Sequence, residues 1–246
     1  MSTELLWYGA KLTSTGEQKQ SEQIIQSRLH QRHPTNSTTV NNRKTVTAAS
    51  AALLSLASAV SAQQQVQSKP FYLVLDYAGK YNGSALVACH EGAAIEGLCV
   101  GGKPGADASA ASTYQFNTTL GQVGADPNAG ETGTLTYALP VNGGDETSSE
   151  GMQLLYNPSS NVALPLFEPT NTPTQVAFDK DNHMNIQSYI DDTVVPAKTG
   201  TVAYYRWYVC RTYYAAYQYD ALSWVAGKDA PQNPSCEKVE VVRQFV

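Results

Sequence analysis

The chain has 246 residues, 42% hydrophobic and 15% charged, with a formal net charge of −5. That length and apolar content are enough for one buried core, and the low charge argues against disorder over most of the chain. Of sixteen Lys/Arg and twenty-one Asp/Glu, six and three fall in residues 1–62; ten and eighteen remain from Gln63 onward, a balance of −8 with no basic stripe to meet a nucleic-acid backbone.

Residues 1–42 are polar, rich in Gln and Thr, and show no hydrophobic periodicity. They are read as a leader outside the fold, either disordered or the product of a misplaced start. Residues 43–62 follow with a basic pair, Arg43 and Lys44, an uncharged run of Ala, Ser, Thr and Leu, and the small residues Val60 and Ala62 at the −3 and −1 places before Gln63. This is the pattern of a secretory signal peptide. Its apolar part is shorter than the roughly 20 residues a membrane span requires. The expectation is cleavage, export to the extracellular space or cell wall, and no membrane attachment afterwards.

Residues 69–246 read as one all-β domain. Short apolar or alternating runs, bounded by Gly, Pro, Asn and Asp, fall at 71–75, 85–89, 97–101, 114–117, 133–139, 152–156, 162–167, 175–178, 184–190, 206–210, 221–226 and 239–246. The stretch 213–219 breaks the alternation and comes nearest to a helical exception. A shared grammar, two apolar runs followed by an aromatic, an Asn or Asp turn and another strand, recurs in three parts and suggests a β-trefoil. An antiparallel β-sandwich is the alternative.

All four cysteines, Cys89, Cys99, Cys210 and Cys236, lie beyond the expected cleavage point, which suits two disulfides in an oxidising compartment. Three connectivities exist; pairing Cys89 with Cys99 and Cys210 with Cys236 closes two short loops and is the one expected. Nine and twenty-five intervening residues match no zinc spacing, so no metal is expected. Asn82 and Asn117 head Asn-x-Ser/Thr acceptors for glycosylation, whereas Asn157 and Asn233 are followed by Pro.

Three segments carry a resemblance: "ACHEGAAIEGLCVGG" at 88–102, "YNPSSNVALPLFEP" at 156–169, and "YYRWYVC", "LSWVAG" and "PQNPSC" towards the C-terminus. Together they resemble a family of secreted or cell-wall-associated ascomycete fungal proteins without defined chemistry, over roughly residues 69–246. The resemblance implies secretion and a single domain, and transfers no catalytic residue.

No nucleophile elbow, zinc-protease helix or nucleotide-binding glycine pattern is present, so neither a catalytic residue nor a cofactor is assigned. Glu91 with Glu96, and Asp191 with Asp192, are the acid pairs a polysaccharide hydrolase would need. Solvated loop carboxylates and a turn are the plainer readings. "FDKDNH" at 178–183 lacks the glycine and distal glutamate of a calcium loop and reads as a hairpin turn. His90 and His183 stand beside no candidate nucleophile and read as structural.

The densest signal is 204–224, with seven tyrosines and two tryptophans. If 206–210 is a strand, an inward Cys210 places Tyr208 inside and Trp207 outside or in a second layer. Tyr213, Tyr214 and Tyr217 are the candidate binding residues, since a tyrosine ring offers a flat apolar face and a hydroxyl; capping of an open barrel end is the competing reading. The function expected is non-catalytic binding of glycan or an extracellular protein. A cell-wall polysaccharide hydrolase and a trefoil-type hydrolase inhibitor are the alternatives.

Overall fold

A computed structural model describes residues 64–106, 111–121 and 124–246. The leader and the signal segment expected over 1–62 lie outside these residues. In chain order the strands are β1 (Gln65–Gln67), β2 (Phe71–Leu75), β3 (Leu86–Gly92), β4 (Ile95–Val100), β5 (Gln115–Thr119), β6 (Thr132–Val141), β7 (Glu146–Tyr156), β8 (Val162–Glu168), β9 (Gln175–Phe178), β10 (Met184–Asp191), β11 (Lys198–Tyr204), β12 (Trp207–Tyr214), β13 (Tyr217–Val225), β14 (Glu237–Lys238) and β15 (Val241–Phe245). One short 3-10 turn at Asn142–Gly144 joins β6 to β7, and no α-helix occurs among the described residues. No helix of the described residues is long and apolar enough to cross a membrane.

All strand pairing is antiparallel, and six strands close a ring. β5 pairs with β6, β6 with β9, β9 with β10, and β15 with β2. Single bridges complete it, His183 to Val242 between the start of β10 and β15, and Phe71 to Tyr114 between β2 and the start of β5. Alternation fills the interior: in β2, Phe71, Leu73 and Leu75 are buried while Tyr72 and Val74 are half-buried. Phe71 and Phe116 each meet Phe178 edge-to-face, at 5.5 and 5.2 Å.

Three hairpins, β3–β4, β7–β8 and β12–β13, pair with one another, and β7 also continues from ring strand β6 along a ladder from Thr136–Gly151 to Val141–Glu146. β4 meets β8 at Glu96–Phe167 and Gly97–Leu166, β8 meets β13 at Ala163–Trp224 and Val162–Val225, and β13 meets β4 at Ala221–Cys99. Both disulfides form as expected, Cys89–Cys99 within the first hairpin and Cys210–Cys236 from β12 to the segment before β14.

All twelve expected runs are strands, and two readings are corrected around them. The 213–219 stretch is neither helix-like nor irregular, because β12 and β13 run unbroken to a two-residue turn at Ala215–Ala216, with Ala215 at φ 48°. The order of Trp207 and Tyr208 is also reversed. Trp207 is fully buried and donates its indole N–H to the Met184 carbonyl at 2.7 Å, whereas Tyr208 is half-buried. An inward Cys210 does not fix the order of its neighbours because β12 is covered on both faces. Trp207 and Val209 enter the main core, while Tyr208 and Cys210 join a small second cluster with Val162, Val225 and Cys236.

Truncating Trp207 therefore removes a core anchor. In urea unfolding, Trp207→Ala should lose about 3–5 kcal/mol, whereas Tyr213→Ala, 72% exposed, should stay within about 0.5 kcal/mol of the parent.

Candidate functional site

The β3–β4 hairpin turns at Ala93–Ala94 and carries a bulge. His90 pairs with Glu96 and Gly92 with Ile95, which leaves Glu91 as the extra residue. The bulge lays the Glu91 carboxylate over Gly97, where a Cβ would stand 2.8 Å from Glu91 Oε1 and 3.1 Å from the Cys89 sulfur. Gly97 is thus the vacancy into which Glu91 folds.

Glu91 and Glu150 are each 2% exposed and Glu96 is 8% exposed. Glu91 Oε2 and Glu150 Oε2 have no hydrogen-bond partner, and neither does the buried Tyr114 hydroxyl. His90 Nδ1 stands 3.4 Å from Glu96 Oε1. Burial, then the neighbouring Glu96 charge, raises the Glu91 carboxyl to about 7, against a weaker opposing effect of His90. Glu150 is raised by burial and then by Glu96 and Glu168. Tyr137, the cross-strand partner of Glu150, is raised by burial and then by Glu96 and Glu150. Glu96 is therefore the common neighbour of a buried acidic cluster lying under the hairpin junction.

The aromatic tip of β12–β13 adjoins this cluster through His90. Tyr214 pairs with Tyr217, and Tyr219 follows two residues on, so these three share one face. The rings of Tyr217 and Tyr219 stack at 6.1 Å and 10°, the His90 ring meets Tyr217 edge-on at 5.4 Å, and the Tyr219 hydroxyl donates to the His90 carbonyl at 3.2 Å. Tyr213 lies on the opposite face, with Arg211, Gln218 and Asp220. There Arg211 donates to Asp220 at 3.2 Å and to Gln218 at 3.3 Å, and the Tyr81 hydroxyl donates to Asp220 at 3.1 Å. The expected trio of Tyr213, Tyr214 and Tyr217 is thus divided: Tyr214 and Tyr217 stay together and Tyr219 takes the third place.

Asp191 ends β10 and accepts from the Thr193 backbone N–H and hydroxyl, as a turn residue does. Asp179 Oδ1 accepts the N–H groups of Asp181 and His183, and its Oδ2 accepts from the Tyr205 hydroxyl, so "FDKDNH" is a turn between β9 and β10. Asn82 is exposed in a turn, whereas Asn117 lies in β5 between β1 and β6 with its Oδ1 buried. Among the described residues, one set of three possible metal-ligand atoms lies within 4.8 Å of one another, those of Cys89, Glu91 and Cys99. Two of these are sulfurs of a disulfide, which offer no thiolate.

Sequence reasoning paired Glu91 with Glu96 but passed over Tyr137, Glu150 and Tyr219. Alternation placed Glu150 on a strand, yet no local pattern says that its neighbour across the sheet faces the acids of another hairpin.

These features define an all-β module, twice disulfide-bonded, with an aromatic hairpin tip beside a sealed acidic cluster. Residues 68–245 match the family described as Domain of unknown function (DUF7907), and the chain belongs to that family. No curated protein and no solved structure matches the chain.

If Glu91 occupies the place of a Gly97 side chain, the two positions are coupled. Gly97→Ala should cost about 1–3 kcal/mol by overpacking. Combining it with Glu91→Ala should cost less than the sum of the single changes, by at least about 0.5 kcal/mol in a double-mutant cycle. Strict additivity would show that the two groups do not share this space.

Proposed function

We propose that this chain is an extracellular, non-catalytic glycan-binding domain whose binding edge is the aromatic face of Tyr214, Tyr217 and Tyr219. The observation that carries the reading is the stacked Tyr217–Tyr219 pair, half-buried, met edge-on by the His90 ring and tied to His90 by the Tyr219 hydroxyl. Rings supported on one side keep a fixed orientation, and a fixed flat apolar face with hydroxyls at its rim suits the C–H face and hydroxyls of a sugar. An extracellular setting is supported by the two disulfides and by the signal-like run at 43–62. Asn82 is the acceptor open to glycosylation in this reading.

A β-trefoil is the architecture that best suits the strand pairing, since a six-stranded ring and three mutually paired hairpins are what that fold requires. The hydrolase alternative draws support from the coupling of Glu91 to Glu96. However, both carboxylates are sealed from solvent, and a substrate would have to displace the hairpin to reach them. The inhibitor alternative has one observation in its favour, the β10–β11 connection with Val195 at 99% exposure.

A glycan array combined with a reducing-sugar assay on the secreted protein tests the reading. Binding without release of reducing ends is expected. Tyr217→Ala should weaken binding at least tenfold while its fold persists, and Tyr213→Ala should leave binding unchanged. Release of reducing ends would favour hydrolysis. Absence of any glycan binding, or inhibition of a hydrolase that Tyr217→Ala leaves intact, would overturn the proposal.

A further inference from the structure

Two of the five buried polar side-chain atoms without a partner among the described residues belong to carboxylates that neighbour Glu96: Glu91 Oε2 and Glu150 Oε2. Unpaired buried oxygens at one place call for a compensating species. Every element packed here contributes a carboxylate, a phenol or the His90 imidazole. β3 brings His90 and Glu91, β4 Glu96, β6 Tyr137, β7 Glu150, β8 Glu168, and β13 the Tyr219 hydroxyl on the His90 carbonyl. None of the ion pairs of the described residues brings a lysine or arginine to these carboxylates. No three carboxylate oxygens of the described residues converge within 4.8 Å, so a shared cation has no preformed cage. The compensating species that fits is the proton.

We propose that Glu91 and Glu150, packed beside Glu96, form a proton-operated latch, which holds the disulfide-bonded β3–β4 hairpin against β7 and β8 while the two are protonated and releases it when they ionise. The covalent frame decides where the repulsion acts. Cys89–Cys99 ties β3 to β4 beside the cluster, so those two strands cannot separate. The weaker seam is between hairpins, where only Glu96–Phe167 and Gly97–Leu166 join β4 to β8. Opening there withdraws His90 from Tyr217 and Tyr219, and with it the edge-on ring contact and the hydrogen bond that orient them.

The direction of the response follows from linkage. Glu91 is about 7 in the folded chain against an ordinary value of 4.5, so the folded state keeps a proton that the unfolded chain has lost. The stabilisation is complete below about 4.5 and fades as pH rises to about 7, by roughly tenfold in the folding constant per pH unit for one retained proton.

Two measurements on the full secreted chain between pH 4.5 and 8.5 test the latch, and neither depends on glycan binding. One is urea unfolding; the other is the rate at which a phosphine reductant cleaves Cys89–Cys99, divided by that for Cys210–Cys236. The parent should lose about a hundredfold in folding constant over this range, and the ratio of reduction rates should rise several-fold. Glu91→Gln should flatten both profiles; should it fail to fold, Glu150→Gln is expected to reduce both slopes. An unchanged slope in whichever variant folds would overturn the proposal. So would stability that is level or rising over this range in the parent, or a loss of stability with a constant ratio, which would mean that the whole domain responds and not the hairpin.

Discussion

The ladder between β2 and β15 joins the two ends of the described domain, with Phe71 opposite Phe245 and Leu75 opposite Val241. Everything else depends on it, because without it the ring of β2, β5, β6, β9, β10 and β15 is an open sheet. The closure is cooperative with the core: Phe71 and Leu73 on β2 and Val241 on β15 are all buried inside it. Arg243 on β15 adds a cation over the ring of Phe178 at 4.4 Å and donates to Asn182 Oδ1, which ties the same strand to the β9–β10 turn. A long-range ladder of this kind costs loop-closure entropy that local pairing avoids, so the apolar faces it buries must outweigh that cost.

Ring closure also fixes where the hairpins sit. The hairpins β3–β4, β7–β8 and β12–β13 emerge from it at places set by the ring strands, and they pair along short edges of one or two residue pairs each. Short seams permit movement that a long ladder forbids. The domain places its acidic burial at such a seam, with Glu91, Glu96 and Glu150 enclosed and, among the ion pairs of the described residues, no lysine or arginine joined to them. Burial of like charges disfavours their ionised forms. An arrangement that costs stability in this way gains something only if the cost varies with conditions, and proton uptake is the variable that carboxylates sense. The aromatic tip shares His90 with the cluster, so the aromatic face and the acids are in contact through one residue.

Much of this was legible in the sequence because β-alternation is a local signal. Phe71, Leu73 and Leu75, or Gln175–Phe178, declare their strand by pattern and flanking turn residues alone. The disulfide partners were legible for the same reason, each closing a loop between neighbouring runs. What the pattern could not carry was cross-sheet geometry. Trp207 and Tyr208 alternate correctly, but which face meets the main core depends on a second small cluster behind β12 that involves Val162 and Val225 from two other strands. The division of Tyr213 from Tyr214 and Tyr217 needed the two-residue turn at Ala215, whose left-handed backbone is unusual for alanine and gave no warning in the sequence. β1, β11 and β14 were missed because their residues are exposed or half-buried and lack an apolar face. The acidic cluster was half visible: Glu91 and Glu96 lie on one hairpin, but Glu150 arrives from another, and only the seam between hairpins unites them.

Removal of β15 tests the account most directly. A chain ending at Glu240 keeps every hairpin and both disulfides but cannot close the ring, and near-ultraviolet circular dichroism followed through thermal unfolding reads the packing of Trp207 and Trp224 against the core. The account predicts loss of the near-ultraviolet signal and no cooperative transition. A native-like spectrum with a cooperative transition near the parent midpoint would show that the ring does not depend on the β2–β15 ladder, and would contradict it.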